Sequence, residues 1–456
     1  MNPPEQTSAQ VDAQVDAQLD AQLDTSGRPG AGGYLDRYEA AAGKDPADAL
    51  ALLAGWLRTD WRPLFAELRA HRPVLATPVF TIVTRFADVT EVLSRGEVFT
   101  VAGYAARLDP ALGGPVMLTR DGTPLNRREK GLMQVMLPPE DVPRVRGLVA
   151  EAADAVLDAA LPHGRVEVVG DLFRHVCAEV SGRYFGFPGP DRPTLSRWSR
   201  AVMTDVTANL AGDPGIHAAS LSAGAEMMDH LRALLAERRM AVAADAARAP
   251  QDILSRLLRT RLPRELSLED ERLLINVAGL LLGFMENASG SMVHVVQQVL
   301  GRPELREAVT EAAAEDDTAA FDRHVWEALR FDPFLKLIAR TCERDHVLAR
   351  GTPHETRVPA GSLVLAAVAS AMFDETAVPA PDAFRLDRPL HTSLHFGHGP
   401  HACLGADPGA AVICETLRRL FRRPGVRLLP PPEGTVLRDR GVFPDRFTLG
   451  LGQEEE

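Results

Sequence analysis

Cysteine is scarce in this chain, and the cysteines that are present lie far apart. Cys177, Cys342, Cys403 and Cys414 are the only four, and no two of them form a C-x-x-C pair. This spacing excludes a zinc ribbon, an iron–sulfur cluster and the covalent attachment of a c-type haem. So few cysteines, none of them paired, also favour a reducing compartment.

The chain also lacks an excess of positive charge and a long apolar run. Its 62 acidic residues outnumber the 50 basic ones, which gives a net charge of −12 and does not favour nucleic acid or an anionic membrane surface as a partner. The longest apolar stretch, residues 273–285, is interrupted by Asn276 and is too short to span a bilayer. The first residues lack the basic and apolar regions of an export signal. We therefore expect a cytoplasmic protein with no membrane or nucleic-acid partner.

A low-complexity segment precedes the rest of the chain. Residues 9–24 repeat a four-residue unit, AQVD or AQLD, and a glycine-rich run follows up to Gly33. We expect residues 1–35 to form a disordered, solvated tail. The alternative is a docking or coiled-coil arm, because a period of four drifts only slowly around a helix. After the tail we expect a single domain, residues 36–456, since no second linker interrupts the sequence.

Apolar residues in the middle of the chain recur at spacings of three and four, which is typical of amphipathic helices. The segments are 142–161, 171–185, 193–210, 218–246, 251–260, 267–300 and 303–330. Alternating β-branched residues around Pro78 predict a hairpin within 73–84. Further strands are expected near 356–366, 426–429 and 446–449. The pattern predicts a mainly α fold with a smaller β region built from both ends of the chain.

The strongest chemical signal is the run Phe396-Gly-His-Gly-Pro-His-Ala-Cys-Leu-Gly405. Gly397 and Gly399 allow the backbone to turn tightly and to approach a flat ligand closely. Cys403 comes just before a helix-like segment, and the amide groups at a helix N-terminus stabilise a thiolate. A thiolate in this position can hold haem iron. The alternative is a buried structural cysteine in a glycine-rich turn.

This run resembles the cysteine-ligand loop of the cytochrome P450 family, F-G-x-G-x-H-x-C-x-G. All six fixed positions match: Phe396, Gly397, Gly399, His401, Cys403 and Gly405. The resemblance implies a triangular, mainly helical fold, with haem b held between a long central helix and the cysteine loop. It also implies that Cys403 is the axial ligand of the iron.

The resemblance assigns roles to charged residues outside the loop. Glu327 and Arg330 form an E-x-x-R motif, and together with Arg388 they imply a buried ion network on the cysteine-loop side of the haem. Arg340 and His401 match positions that contact the haem propionates. Two carboxylates in a low-dielectric pocket need cationic or strong donor groups.

One propionate contact of the family is missing near residues 121–130. The family's H-x-x-x-R register falls on Leu125 and Glu129 in this chain. We take Arg127 as the replacement, with Arg128 and Lys130 as alternatives. Each of the three could equally be an exposed charge on a helix.

The long helix within 267–300 departs most from the family pattern, [A/G]-G-x-[D/E]-T. This chain reads Gly283-Phe-Met-Glu286-Asn287, so the acid is retained and an amide replaces the alcohol. Gly283, Asn287 and Gly290 share one helix face, which would still allow a flat cofactor to approach closely. An amide cannot ionise and relays protons poorly, although it can donate a hydrogen bond. Glu286 and Asn287 are our candidate catalytic residues, lining the oxygen side of the haem.

By resemblance, the expected function is the oxidation of a small organic molecule in secondary metabolism, with electrons from a separate ferredoxin or flavodoxin. Four arginines within residues 418–423 form a candidate docking surface for an acidic donor; the alternative is solubility charge at a helix end. The segments expected to line a pocket, 101–118 and 193–217, hold only two aromatic residues, Tyr104 and Trp198. The substrate therefore does not follow from the sequence.

Two other hypotheses remain open at this point. The first is a haem-thiolate enzyme that uses peroxide, or that rearranges an oxygen-bearing substrate without activating dioxygen, because Asn287 replaces the alcohol. The second is a haem-binding sensor with no turnover. Electron consumption that depends on a substrate would separate the enzymes from the sensor.

Overall fold

The computed structural model describes residues 33–209, 212–264, 266–438 and 441–452, and helices dominate this part of the chain. The helices before residue 190 are α1 (Tyr34–Ala42), α2 (Pro46–Thr59), α3 (Trp61–His71), α4 (Phe86–Ser94), α5 (Ala102–Leu112), α6 (Pro124–Met136), α7 (Val142–Ala160) and α8 (Arg174–Val180). Those after it are α9 (Arg192–Thr207), α10 (Pro214–Ala244), α11 (Ile253–Arg259), α12 (Asp270–Leu300), α13 (Pro303–Ala314), α14 (Thr318–Phe331), α15 (Val368–Ala371) and α16 (Ala406–Phe421).

The strands are short and come from both ends of the described chain. They are β1 (Val74–Ala76), β2 (Phe80–Val83), β3 (Phe99–Thr100), β4 (Arg165–Glu167), β5 (Ile338–Cys342), β6 (His346–Leu348), β7 (Thr356–Val358), β8 (Leu363–Ala366), β9 (Arg427–Leu428) and β10 (Thr448–Gly450). A five-stranded sheet has the order β1-β2-β8-β5-β3, in which only the β2–β8 pair is parallel. The mainly α fold with a smaller β region is therefore confirmed.

Helix α12 forms the centre of the helical body. Apolar residues occupy most of its circumference, and a helix that is apolar all round is stable only when neighbours cover it. Asp270 and Glu271 lie in its first turn, where negative charge favours the helix dipole. The helix is long and apolar enough to cross a membrane, but 89% of its most apolar window is buried inside the protein. It is thus a core helix of this fold.

The folded part begins slightly earlier than the sequence indicates. Helix α1 starts at Tyr34, inside the tail expected for residues 1–35, because the Glu67 carboxylate accepts hydrogen bonds from the Tyr34 and Leu35 amides, each 2.8 Å long. The Tyr34 ring also packs edge-on against Trp56, with centroids 5.2 Å apart. The rest of the predicted tail, residues 1–32, lies outside the described residues.

The helix expected for residues 303–330 is two helices. It breaks at residues 315–317, where Asp317 caps the start of α14 by accepting a hydrogen bond from the Ala319 amide over 2.9 Å. A side-chain cap of this kind satisfies an otherwise unpaired amide and favours a new helix start. The break lets α14 pack against both α12 and α16.

Candidate active site

Two glycines give the cysteine loop its tight conformation. Gly397 and Gly399 have φ angles of 72° and 70°, a region that favours glycine because it lacks a Cβ. A Cβ on Gly399 would lie only 2.6 Å from the carbonyl oxygen of Leu93 in α4. The Cys403 amide donates to the Phe396 carbonyl over 2.8 Å. These contacts place Cys403 three residues before the first residue of α16.

Cys403 is the exposed cysteine of the four, since the other three are buried. The surrounding protein raises the pKa of its thiol, and this rise is opposed by a hydrogen bond from the Gly405 amide and by the charge of Lys130. A thiol that is open to a ligand and faces an amide donor and a cation suits a thiolate ligand better than a structural cysteine.

The structure brings Glu327, Arg330 and Arg388 together. The Glu327 carboxylate accepts from Arg330 over 2.8 and 2.9 Å and from Arg388 Nε over 2.8 and 3.0 Å. A fifth hydrogen bond, 2.9 Å long, comes from the Arg385 amide. Burial alone would raise the pKa of Glu327, but these donors hold it below its usual value. The carboxylate is therefore charged and fully paired.

This ion network connects to the cysteine loop through aromatic packing. Trp326 lies next to Glu327 on α14, and its ring packs edge-on against Phe396 with centroids 5.4 Å apart. The Trp326 carbonyl is also 3.0 Å from Nε2 of His395. Fixing α14 therefore fixes the start of the cysteine loop.

Arg340 lies on β5 with its side chain buried and incompletely paired. Its Nη1 donates to the Ala339 carbonyl over 2.8 Å, whereas its Nε is buried without a hydrogen-bond partner in the part of the chain that the structure describes. Burial lowers the pKa of Arg340, while the nearby Tyr104 and Asp121 raise it. A buried guanidinium with a spare donor requires an anion or another strong acceptor.

His401 binds an aspartate that the sequence did not reveal. Its Nε2 is 2.8 Å from Oδ1 of Asp121, and Oδ2 of Asp121 accepts a hydrogen bond from the Val101 amide over 2.8 Å. Asp121 and His401 are separated by 280 positions, so no local spacing could have indicated the pair. Asp121 therefore lies near both residues predicted to contact propionates, Arg340 and His401.

The adjacent residues of α6 face different partners. Glu129, in the register of the missing propionate contact, is fully buried and accepts from Arg272 over 2.6 and 2.9 Å and from Asn276 over 2.9 Å. Lys130 instead donates to the Pro400 carbonyl in the cysteine loop. Arg127 is exposed. Of the three cations considered for the missing contact, Lys130 is the one that contacts the loop.

One face of α12 is open at the predicted groove. Gly283 is exposed, and a Cβ built on it would meet no atom within 4 Å. The Asn287 side chain donates from Nδ2 to the Gly283 carbonyl over 2.9 Å, a bond to the fourth preceding residue that a hydroxyl could also make. At Gly290 a Cβ would lie 2.3 Å from the Phe334 ring. The expectation that Gly290 faces a cofactor is therefore wrong, because Phe334 packs on it.

Glu286 and Asn287 have different surroundings. Glu286 is only 1% exposed and contacts Arg200 of α9 at 2.9 and 3.0 Å and Arg174 of α8 at 3.4 Å. Arg200 in turn donates to Asp445 over 2.8 Å. Burial raises the pKa of Glu286 to about 7, although Arg200 opposes the rise. Glu286 thus ties α12 to α8, α9 and the C-terminal segment.

One expectation about the pocket lining is not met by the structure. Trp198, expected in the pocket lining, is buried beside Phe187 and His230 and donates to Glu226.

The arginines within 418–423 do not form a free basic patch. Three of them are paired internally: Arg418 with the Glu315 carbonyl, Arg419 with Glu415 and Asp154, and Arg423 with Asp154 and Asp158. These pairs leave Arg422 as the exposed arginine of the group, and the docking of a donor at this surface stays a prediction.

Comparisons with known proteins agree with this geometry. The family model described as Cytochrome P450 matches residues 198–409, which include α12, the E-x-x-R motif and the cysteine loop. Cyclomarin C epoxidase CymV of Salinispora arenicola (strain CNS-205) is 28% identical over 375 residues, covering 81% of this chain and 88% of that protein. Mycinamicin IV hydroxylase/epoxidase of Micromonospora griseorubida is 28% identical over 385 residues, covering 78% of this chain and 87% of that protein.

Solved structures share the fold. CalO2 superposes with a TM-score of 0.73 at 24% identity, covering 87% of this chain and 96% of its own. Cytochrome P450 CYP109Q5 from Chondromyces apiculatus superposes with a TM-score of 0.70 at 23% identity, covering 85% and 94%. The fold and the cysteine loop define a haem-thiolate oxidoreductase. The chain belongs to the cytochrome P450 family and is an enzyme of the monooxygenase type.

The residues present fit the cofactor that this family implies. An exposed thiol, an open helix face at Gly283 and a buried guanidinium with an unpaired Nε are the features that an iron ligand, a flat ring contact and a carboxylate anchor require. They come from the cysteine loop, from α12 and from β5.

Proposed function

We propose that this protein binds haem b and oxidises a small organic molecule of secondary metabolism in the cytoplasm, with electrons from a separate ferredoxin or flavodoxin. The observation that carries the proposal is the exposed Cys403 thiol in a loop fixed by Gly399, by Phe396 and by the Glu327 network. When bound, the haem-thiolate unit supplies the activation of an oxygen–oxygen bond. The protein supplies binding, orientation and control of protons.

Cofactor binding is assigned to residues of the loop and of β5. Cys403 would ligate the iron, while Phe396, Gly397 and Gly405 shape the loop around it. Arg340 would pair with one propionate through its spare donor. His401 keeps one ring nitrogen free of Asp121 for another propionate, and the Asp121 carboxylate orients the ring. Arg127, which is exposed on α6, stays a prediction for the remaining contact.

Proton control is assigned to Glu286. With a pKa near 7, its carboxyl can hold or release a proton at neutral pH. Its Oε1 is buried and has no hydrogen-bond partner among the described residues, so a proton held there is not shared with another side chain. Asn287 cannot ionise and instead donates to the Gly283 carbonyl. It therefore shapes the groove and does not transfer protons.

The substrate class is supported by the relatives. The names of two relatives specify the epoxidation of cyclomarin C and the hydroxylation and epoxidation of mycinamicin IV. We propose the same kind of oxidation for this chain. A spectral titration against a metabolite library would identify candidates, because a substrate that displaces water from the iron shifts the haem absorption.

Asn287→Thr tests the dioxygen-dependent reading. A threonine hydroxyl can donate to the same Gly283 carbonyl, so we expect product formation to persist, and the fraction of electrons ending in product to stay constant or rise. The measurement is the product formed per electron consumed under air, together with the product formed when the reductant is left out.

The peroxide or rearrangement alternative predicts the opposite outcome for the same variant. If the Asn287 amide positions an oxygen-bearing substrate, Asn287→Thr should lower turnover by about 10²–10³, the usual cost of losing a donor in a dry site. Turnover that needs no reductant, and that the variant abolishes, would contradict the monooxygenase reading. A sensor would show no substrate-dependent electron consumption in either protein.

A further inference from the structure

Lys130 makes a contact that the propionate role considered for it does not explain. The chain has only three lysines, Lys44, Lys130 and Lys336, and Lys130 reaches into the cysteine loop. Its Nζ donates to the carbonyl of Pro400, within the helical turn Gly399–His401 that directly precedes the cysteine segment. The ammonium group is therefore held at the cysteine loop, three residues before Cys403.

Both partners of this contact are fixed by the fold. On one side, Glu129 is buried and bound to Arg272 and Asn276 of α12, so α6 cannot rotate without breaking these bonds. On the other side, the turn packs against α4, where Gly399 allows close approach to Leu93. The position of the cation beside the loop is thus set by contacts that do not involve Lys130 itself.

The charges of Lys130 and Cys403 act on each other. Lys130 Nζ is bound to the Pro400 carbonyl, three residues before Cys403, so its positive charge lies beside the segment that carries the thiolate. A partly buried cation interacts with a thiolate more strongly than an exposed one, because less water screens the pair.

We propose that Lys130 is a positioning residue whose fixed positive charge stabilises the Cys403 thiolate and raises the reduction potential of the haem bound to it. The inference rests on the proposed function through the assignment of Cys403 as iron ligand. One-electron reduction from ferric to ferrous adds one negative charge to the iron–thiolate unit. A nearby cation favours that reduced state by simple electrostatic attraction.

The test is the reduction potential of the purified holoenzyme, measured by spectroelectrochemistry with small mediators and no donor protein. We expect Lys130→Met to favour the ferric state by about tenfold, which is about 59 mV for a one-electron couple. Lys130→Arg should keep the wild-type potential because it keeps the charge. Lys44→Met is the matched control, since it removes an equal charge from an exposed position outside the loop and should leave the potential unchanged.

Several outcomes would overturn the proposal. If Lys130→Met has the wild-type reduction potential, the charge of Lys130 does not affect the haem. Equal shifts of the potential in Lys130→Met and Lys130→Arg would indicate a packing effect. Reduction by a donor protein that slows while the potential is unchanged would make Lys130 a docking residue. If the Lys130→Met protein does not retain haem, the potential is measured on Lys130→Gln instead. Loss of haem in both neutral variants but not in Lys130→Arg supports the requirement for a positive charge at this position.

Failure of the proposed function would look different. If Cys403 is not the ligand, the ferrous carbon monoxide complex of Cys403→Ser keeps the red-shifted Soret band of a thiolate ligand. Failure of the Lys130 proposal alone leaves that band dependent on Cys403 and changes only the comparison of potentials.

Discussion

Two buried glutamates show how strongly the number of donors decides the charge of a carboxylate. Glu327 receives five hydrogen bonds from two arginines and a backbone amide, and its pKa is lowered although burial opposes this. Glu286 is buried more deeply, burial outweighs its contacts with Arg200, and its pKa rises to about 7. The first residue is a permanent structural charge. The second is a group that titrates at neutral pH.

Glu286→Gln is expected to remove a pH dependence of stability. The folded pKa of Glu286 lies above the ordinary value of 4.5, so its contribution to stability is present below that value and is lost as pH rises through about 7. For this one group the loss is about 3 kcal/mol. Urea unfolding at several pH values should show this fall in the wild type and not in Glu286→Gln.

The matched control for that experiment is Glu311→Gln, which neutralises an exposed glutamate and should keep the wild-type dependence on pH. A fall of the same size in Glu286→Gln and in the wild type would contradict the assignment of the titrating group.

Removing one member of the ion network should be strongly destabilising. Glu327→Ala leaves the buried Arg330 and the partly buried Arg388 without their carboxylate, which costs about 3–5 kcal/mol, and should prevent haem-loaded folding. The measurement is urea unfolding together with the ratio of Soret to protein absorbance. Arg385→Ala is the control, because its backbone amide still reaches Glu327 while its exposed side chain pairs with Asp387. Normal haem occupancy in Glu327→Ala would refute a supporting role for the network.

At the scale of elements, the described fold begins where Glu67 caps α1 and Tyr34 packs on Trp56. Deleting residues 1–30 is therefore expected to leave both the haem spectrum and the melting temperature unchanged, since the deleted repeat is polar and has no aromatic residue to bury. Tyr34→Ala should lower the melting temperature. A drop of several degrees in the deletion variant would show that the segment docks on the fold.

Regular patterns in the sequence predicted the long helices and the hairpin, because each carries its own periodicity. Helices α5 and α6 and strand β5 were not predicted from periodicity. They are short, and their residues make contacts with distant partners, such as the ion pair between Glu129 and Arg272. The break between α13 and α14 was also missed, since Asp317 is a cap only when the preceding helix ends there.

In the site, too, features carried by neighbouring residues could be predicted, and contacts between distant segments could not. The cysteine loop could be predicted because its glycines, its histidine and its cysteine lie within ten residues. The Asp121–His401 pair, the Arg200 and Arg174 contacts of Glu286 and the Lys130 contact with Pro400 join segments more than 80 positions apart. No spacing rule reaches that far. The expected role of Gly290 failed for the same reason, because Phe334 approaches it from another element.

At the scale of the whole molecule, helix faces and loops from distant parts of the chain converge on one centre. Helix α16 packs along α12 and α7, and most of the arginines at its end pair with nearby carboxylates, such as Asp154. An acidic donor would gain little from arginines that are already neutralised. The predicted docking therefore depends on Arg422, the exposed member of the group, and an unchanged salt dependence of electron transfer in Arg422→Glu would contradict it.

The central claim is that Cys403 ligates a haem iron as a thiolate, and the carbon monoxide complex of the reduced protein tests it most directly. The account predicts a red-shifted Soret band in the wild type. It also predicts the band in Cys177→Ser, Cys342→Ser and Cys414→Ser, and its loss in Cys403→Ser. A band that survives Cys403→Ser, or that disappears with one of the three buried cysteines instead, would contradict the account.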